Sequence, residues 1–178
     1  MLRSKLLEIL GVLVTSGRSD LAKIIAEPSD AQKKAGNYKK TKRKFNGLDI
    51  SIENPKGSFR KGTDPDGKEW KVELKHHYGY IKGTVGRDKD HVDVFIDVGA
   101  KEDAPVYVVN QNDPKTQKFD EHKCMLGFTN EGDAKKAYLA NYEKNWKGLG
   151  NIVCLSIKEF KDWVFKGKKN NPLEIKVK

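Results

Sequence analysis

Cysteine is scarce in this chain: Cys124 and Cys154 are the only two in 178 residues. That number excludes a disulfide framework, and neither has the Cys or His company of a zinc site, so the expected home is a reducing cytoplasm. Long apolar runs are missing too, which excludes a membrane-spanning helix. The short apolar stretch Leu6 to Val14 is interrupted by Glu8, and no small-residue cleavage site follows it, so a secretory signal is not expected. Acidic residues are outnumbered, 25 against 35 Lys and Arg, for a formal charge of +10. This excess attracts polyanions but does not separate nucleic acid from free phosphates.

What is present is a globular composition, 37% hydrophobic and 34% charged, with 16 glycines and 6 prolines as punctuation. The length suits one domain plus an appendage. Leu6, Leu7, Leu10 and Leu13 recur at helical spacing, and a second short helix is predicted from Ser19 or Asp20 to before Pro28. Lys33 to Lys44, highly charged and with little apolar periodicity, reads as a linker. The basic tail from Lys166 to Lys178 reads as a solvated segment.

From Leu48 the period changes to two. Leu48, Ile50 and Ile52 alternate with polar residues; Trp70, Val72 and Leu74 do so after the turn Asp64-Pro65-Asp66-Gly67; Val92, Val94, Ile96 and Val98 form a third run, with Asp93, Phe95 and Asp97 opposite. Val106 to Val109, Met125 to Phe128 and Ile152 to Leu155 add strands. Helices are predicted over Asp133 to Lys144 and after Ser156, whose Glu159 completes a capping box. The expected fold is α+β: a small closed or strongly curved antiparallel β-barrel, OB-like, with C-terminal helices and an N-terminal helical appendage.

The most informative segment is Tyr78-Gly79-Tyr80-Ile81, followed by Asp88-Lys89-Asp90-His91-Val92-Asp93-Val94. It gathers carboxylates at one strand entrance, and clustered hard oxygen ligands suit Mg²⁺. A calcium loop of the EF-hand type is excluded, because Gly99 stands where the bidentate Glu belongs. His76, His77, His91 and His122 have no metal-ligand spacing. Tyr142 to Lys147 mixes aromatic and basic groups, and core packing is the preferred reading for Trp146 over stacking on bases.

These two segments resemble the signature of the soluble, family I inorganic pyrophosphatases. Upstream, Ile52-Glu53-Asn54-Pro55 with Arg60 and Lys61 resembles that family's opening strand and phosphate lysine; downstream, Asp113 and Asp120-Glu121-His122-Lys123 resemble further metal carboxylates and a second phosphate lysine. The resemblance is closer still to the pyrophosphatase-like domain of large multi-domain proteins of bacteriophages and mobile elements. Glu53-Asn54-Pro55, Gly62 to Gly67, His77 to Ile81 and Phe119 to Phe128 carry it, and it covers Leu48 to Trp163.

The resemblance implies a division into residues 1–45 (helical extension and basic linker), 46–166 (the pyrophosphatase-like domain) and 167–178 (the tail). It implies Mg²⁺-dependent hydrolysis of pyrophosphate or a related phosphoanhydride by metal-activated water, in a bacterial or phage-infected cytoplasm. The implied metal ligands are Asp88, Asp90, Asp93, Asp113, Asp120 and Glu121; the implied catalytic residues are Asp93, Tyr78 and Lys61. Substrate would meet Arg60, Lys61, Lys71, Tyr78, Lys123, Tyr142 and Lys144. Departures stand at His77, Lys82, Lys89, His91 and Glu121, and Lys89 beside the carboxylates is an expected counter-ion. They leave open a catalytically weakened module that binds nucleic acid or a phage or mobile-element protein; a homo-oligomer is open as well, a membrane is not expected.

Overall fold

The apolar alternation becomes a sheet in the computed structural model, which describes residues 27–175 apart from 65, 98 and 100–102. The two helices expected before Pro28 and the last residues of the tail lie outside the described residues. The elements run α1 (Asp30–Ala35), β1 (Thr41–Phe45), β2 (Leu48–Asn54), β3 (Phe59–Thr63), β4 (Glu69–Glu73), β5 (His77–Ile81), β6 (Asp93–Ile96), β7 (Val106–Asn112), β8 (Phe119–Leu126), α2 (Glu131–Ala140), β9 (Leu149–Leu155) and α3 (Ile157–Lys166).

Seven strands form one sheet in the order β1-β2-β5-β6-β8-β7-β9, and β3-β4 form a separate hairpin. The ladder ends at β1 on one side and β9 on the other, so the sheet is open and the expected closed barrel is corrected. The purely antiparallel expectation is corrected as well. β8 inserts between β6 and β7 and runs parallel to β6, with Asp93 opposite Lys123 and Ile96 opposite Leu126.

Both faces of the central strands are covered, which explains why their sequences read as nearly continuous apolar runs. On one face Ile50, Val94, Val108 and Leu126 pack with Phe160 and Val164 of α3. On the other, Phe95, Tyr107, Val109 and Met125 pack with Ala134, Ala137 and Tyr138 of α2. The side-chain period of two therefore sends Asp93, Lys123, Glu121 and Gln111 to the α2 side, in line with Phe95, Met125 and Val109.

The linker expected over Lys33 to Lys44 is replaced at both ends. Ser29 and Gln32 form a capping box that starts α1, and Thr41–Phe45 is an edge strand paired with β2. The signal for it was the pair Asn46-Gly47, whose positive φ angles of 48° and 75° suit a tight hairpin turn. Lysines on an edge strand discourage pairing with another chain, and that charge hid the strand from a periodicity reading. The tail is likewise attached as far as it is described: Asn110 accepts from the Leu173 N–H at 2.8 Å and donates to the Leu173 carbonyl at 2.9 Å.

α3 begins where the capping box predicts. The Glu159 N–H donates to Ser156 Oγ at 3.3 Å, and Glu159 Oε2 accepts from the Ser156 N–H at 2.9 Å. Because α3 carries Phe160 and Val164 into the core, Ser156→Ala is expected to lower stability by about 1 kcal/mol, read as a lower urea midpoint at unchanged m-value.

Candidate functional site

At one end of the α2-side face the apolar strands turn polar. Lys123 from β8 lies there with its side chain 4% exposed. Its ammonium meets Asp93 of β6, and Glu121 Oε1 at 2.8 Å. A third, longer contact of 3.5 Å reaches the Tyr78 hydroxyl oxygen. Tyr78, on β5, donates that hydroxyl to Asp93. Burial opposes a charge on Lys123, but the surrounding tyrosine oxygens and the Asp93 and Glu121 carboxylates outweigh it and hold the ammonium well above the ordinary lysine value. Burial pushes the Tyr78 hydroxyl up to about 12, so it stays a proton donor at neutral pH.

A second polar shell fixes Glu121. Gln111 Nε2 donates to Glu121 Oε1 at 2.9 Å, while Gln111 Oε1 accepts from the Tyr138 and Tyr142 hydroxyls, each at 2.7 Å. The Trp146 indole N–H donates to the Tyr138 oxygen at 2.9 Å. Burial, against the opposing pull of Lys123, raises the Glu121 carboxyl above its ordinary value. Such a carboxylate is a better proton acceptor than one in open water.

These groups border a cavity of about 330 Å³ whose lining includes Arg60, Asp113, Glu121, Lys123, Tyr142 and Trp146. Arg60 of β3 reaches over from the hairpin and lays its guanidinium on the Tyr78 ring, 4.1 Å from the centroid. The cavity thus has a cationic end at Arg60 and Lys123. Glu121 is the acceptor beside Lys123.

The structure brings Tyr78, Asp93, Glu121 and Lys123 into contact and sets Arg60, Asp113 and Tyr142 around the same cavity. Lys61 and Lys71 lie opposite each other across the hairpin ladder. They line a different depression with Lys33 and Lys34, because strand alternation turns Lys61 to the face opposite the Arg60 guanidinium. Lys144 is exposed beyond α2. Asp88 and Asp90 occupy the exposed loop before β6, where Asp88 Oδ1 accepts from the Asp90 N–H at 3.0 Å. Lys89 sits between them, exposed, with φ 73°; the counter-ion that does meet the site carboxylates is Lys123. Asp120 is exposed, and its carbonyl accepts from Arg87 at 2.9 Å, which ties the Asp88 loop to β8. Hydrogen bonds from Thr116, then Lys115, hold the Asp113 carboxyl below its ordinary value.

Gln111, Trp70 and Tyr138 were not expected at the site. Only Gln111 had a sequence signal: it follows Tyr107 and Val109 on one strand face, a polar residue ending a buried row.

Among the described residues no group of three or more His, Cys, Asp or Glu side chains is arranged to hold a metal ion. Asp93 and Glu121 converge, but the position between them is filled by the Lys123 ammonium. The donors therefore do not fit a resident, protein-only metal cage. They do suit Mg²⁺ in its other common arrangement, in which one or two carboxylates meet an ion already held by substrate phosphates.

The family model for Inorganic Pyrophosphatase matches residues 30–165. No curated protein matches the chain. Among solved structures, an inorganic phosphatase from Anaplasma phagocytophilum is 17% identical, with 79% of this chain and 95% of that chain covered; at a TM-score of 0.37 the likeness carries no structural argument.

Proposed function

Since the chain belongs to the inorganic pyrophosphatase family, we propose that it hydrolyses pyrophosphate or a related phosphoanhydride, taken up as its Mg²⁺ complex. The observation that carries this reading is the pairing of a buried ammonium and a guanidinium with a raised-pKa carboxylate on one cavity. Arg60 and Lys123 bind phosphate oxygens and stabilise the charge that develops on them. Lys123 has a donor to offer: its 3.5 Å contact to Tyr78 is the weakest of its contacts and the one a phosphate oxygen replaces.

Glu121 accepts the proton of the attacking water, and Gln111 keeps its carboxylate aimed at the cavity. Asp93 acts through Tyr78 and Lys123 by holding both in place. Asp93, Glu121 and Asp113 are the carboxylates that would meet Mg²⁺ arriving with the substrate, which would supply neutralisation of phosphate charge. Phosphate release from pyrophosphate and Mg²⁺, read with malachite green, is the direct test. Wild-type protein without turnover at any Mg²⁺ concentration would remove the hydrolase reading. Arg60→Ala is expected to raise KM about tenfold with a smaller change in kcat, since a lost hydrogen bond to a charged group costs roughly 1.5–3 kcal/mol.

A second reading has its own observation. Lys33, Lys34, Lys61 and Lys71 join Arg60 around a depression with no carboxylate in its lining. Such a patch suits a nucleic-acid backbone, and counter-ion release would make that binding fall steeply with salt. No binding of single- or double-stranded DNA or RNA at low salt removes this reading.

A further inference from the structure

The phosphate-binding end accounts for only part of the cavity. Inorganic pyrophosphate has no apolar surface and no hydrogen-bond donor beyond its own protons, yet the lining also includes Trp70, Val72, Tyr142 and Trp146, together with Asp64, Lys115 and Glu143. Tyr142 and Trp146 are stacked, 4.5 Å apart at 12°, and so present a flat aromatic stack. Trp70 comes from the separate hairpin and belongs to neither core cluster.

Both indoles are seated on glycine. A Cβ at Gly62 would stand 2.5 Å from the Trp70 ring, and one at Gly148 would stand 2.4 Å from the Trp146 ring. These close approaches hold the two rings down as walls of the cavity. Trp70 has no core to fill from its position on the hairpin.

From this we infer that the substrate is a nucleoside phosphoanhydride, with its diphosphate at Arg60 and Lys123 and its base against the Trp70 ring; the inference rests on the phosphoanhydride reading above. Beside the rings, Asp64 and Glu143 offer acceptors that suit ribose hydroxyls and exocyclic amines. A cavity of about 330 Å³ lies at the lower end of those that hold small organic ligands.

Calorimetric titration of the full chain in Mg²⁺ tests this with two non-hydrolysable probes, methylenediphosphonate and adenosine 5′-(α,β-methylene)diphosphate. The adenosine compound is expected to bind on the order of tenfold or more tightly, the gain typical of one base stacked on an aromatic ring. Trp70→Ala is expected to bring the affinity ratio of the two probes to about one, and Trp70→Phe to keep most of it. Circular dichroism confirms that each variant is folded. Equal affinities in the wild type, a ratio unchanged by Trp70→Ala, or tighter binding of an alkyl diphosphonate than of the adenosine compound would overturn the inference while leaving the diphosphate site intact. If methylenediphosphonate itself does not bind, the phosphoanhydride reading falls, and this inference falls with it.

Discussion

Lys123→Met is expected to lose about 3–5 kcal/mol of folding stability, the usual cost of removing one partner from a buried ion pair. The loss comes less from the missing bonds than from what stays behind. Asp93 and Glu121 approach the same ammonium from β6 and β8, and without it two carboxylates face each other at the end of a packed sheet. Methionine fills most of the volume and supplies no charge, so packing loss is small and the electrostatic part is isolated.

The pH dependence distinguishes this cause from ordinary core damage. Glu121 is already raised by burial, and Lys123 is the main influence lowering it. Removing Lys123 raises it further above its unfolded value. A carboxyl whose folded pKa is raised contributes stability that is present below the unfolded pKa and is lost as pH rises through the folded pKa. The variant should therefore recover stability as the pH is lowered from 7.5 toward the ordinary glutamate range, measured as a rising denaturant midpoint. A deficit that is the same at both ends of this window would show that the carboxylates are not the source. In the wild type the corresponding loss lies at the alkaline end, because the raised Lys123 contributes stability that is complete below the unfolded lysine pKa and vanishes as pH rises through the folded one.

The sequence made some of this arrangement readable and hid the rest for identifiable reasons. Alternation along Asp93-Val94-Phe95 placed the aspartate opposite the buried valine, and the face it takes is the one Tyr78 and Lys123 share. What alternation could not reveal is that this second face is buried as well, since Phe95, Met125 and Val109 lie under α2. A row of buried residues ending in charged ones is what makes an ammonium 4% exposed. Arg60 and Lys61 are neighbours in sequence, and nothing in their identities says which of them turns toward Tyr78; the hairpin register decides it. Trp70 read as one apolar residue of an alternating strand, whereas its strand lies outside the main sheet and turns the ring to the cavity. The parallel pairing of β6 with β8 depends on the order in which the strands enter the sheet, a property of topology that no local pattern contains.

Asp93→Asn carries the largest expected effect on turnover, a fall in kcat on the order of 10²-fold with a smaller change in KM. Asn keeps the shape and one acceptor oxygen but loses the charge that both Tyr78 and Lys123 approach. Both donors reach the same oxygen, Oδ2, so the amide oxygen has to take that place as a neutral and weaker acceptor, and both contacts loosen. A displacement of about 1 Å in a group that positions substrate is enough for a loss of this order. Lys123 retains Glu121 as a partner at 2.8 Å, so the ammonium keeps one carboxylate and the fold is expected to survive the substitution. Thermal unfolding within a few degrees of wild type, together with malachite-green rates two orders lower, is the expected pair of results. Undiminished turnover in a folded variant would mean that phosphate chemistry takes place elsewhere, and that the Tyr78, Asp93 and Lys123 network only closes the polar end of the sheet.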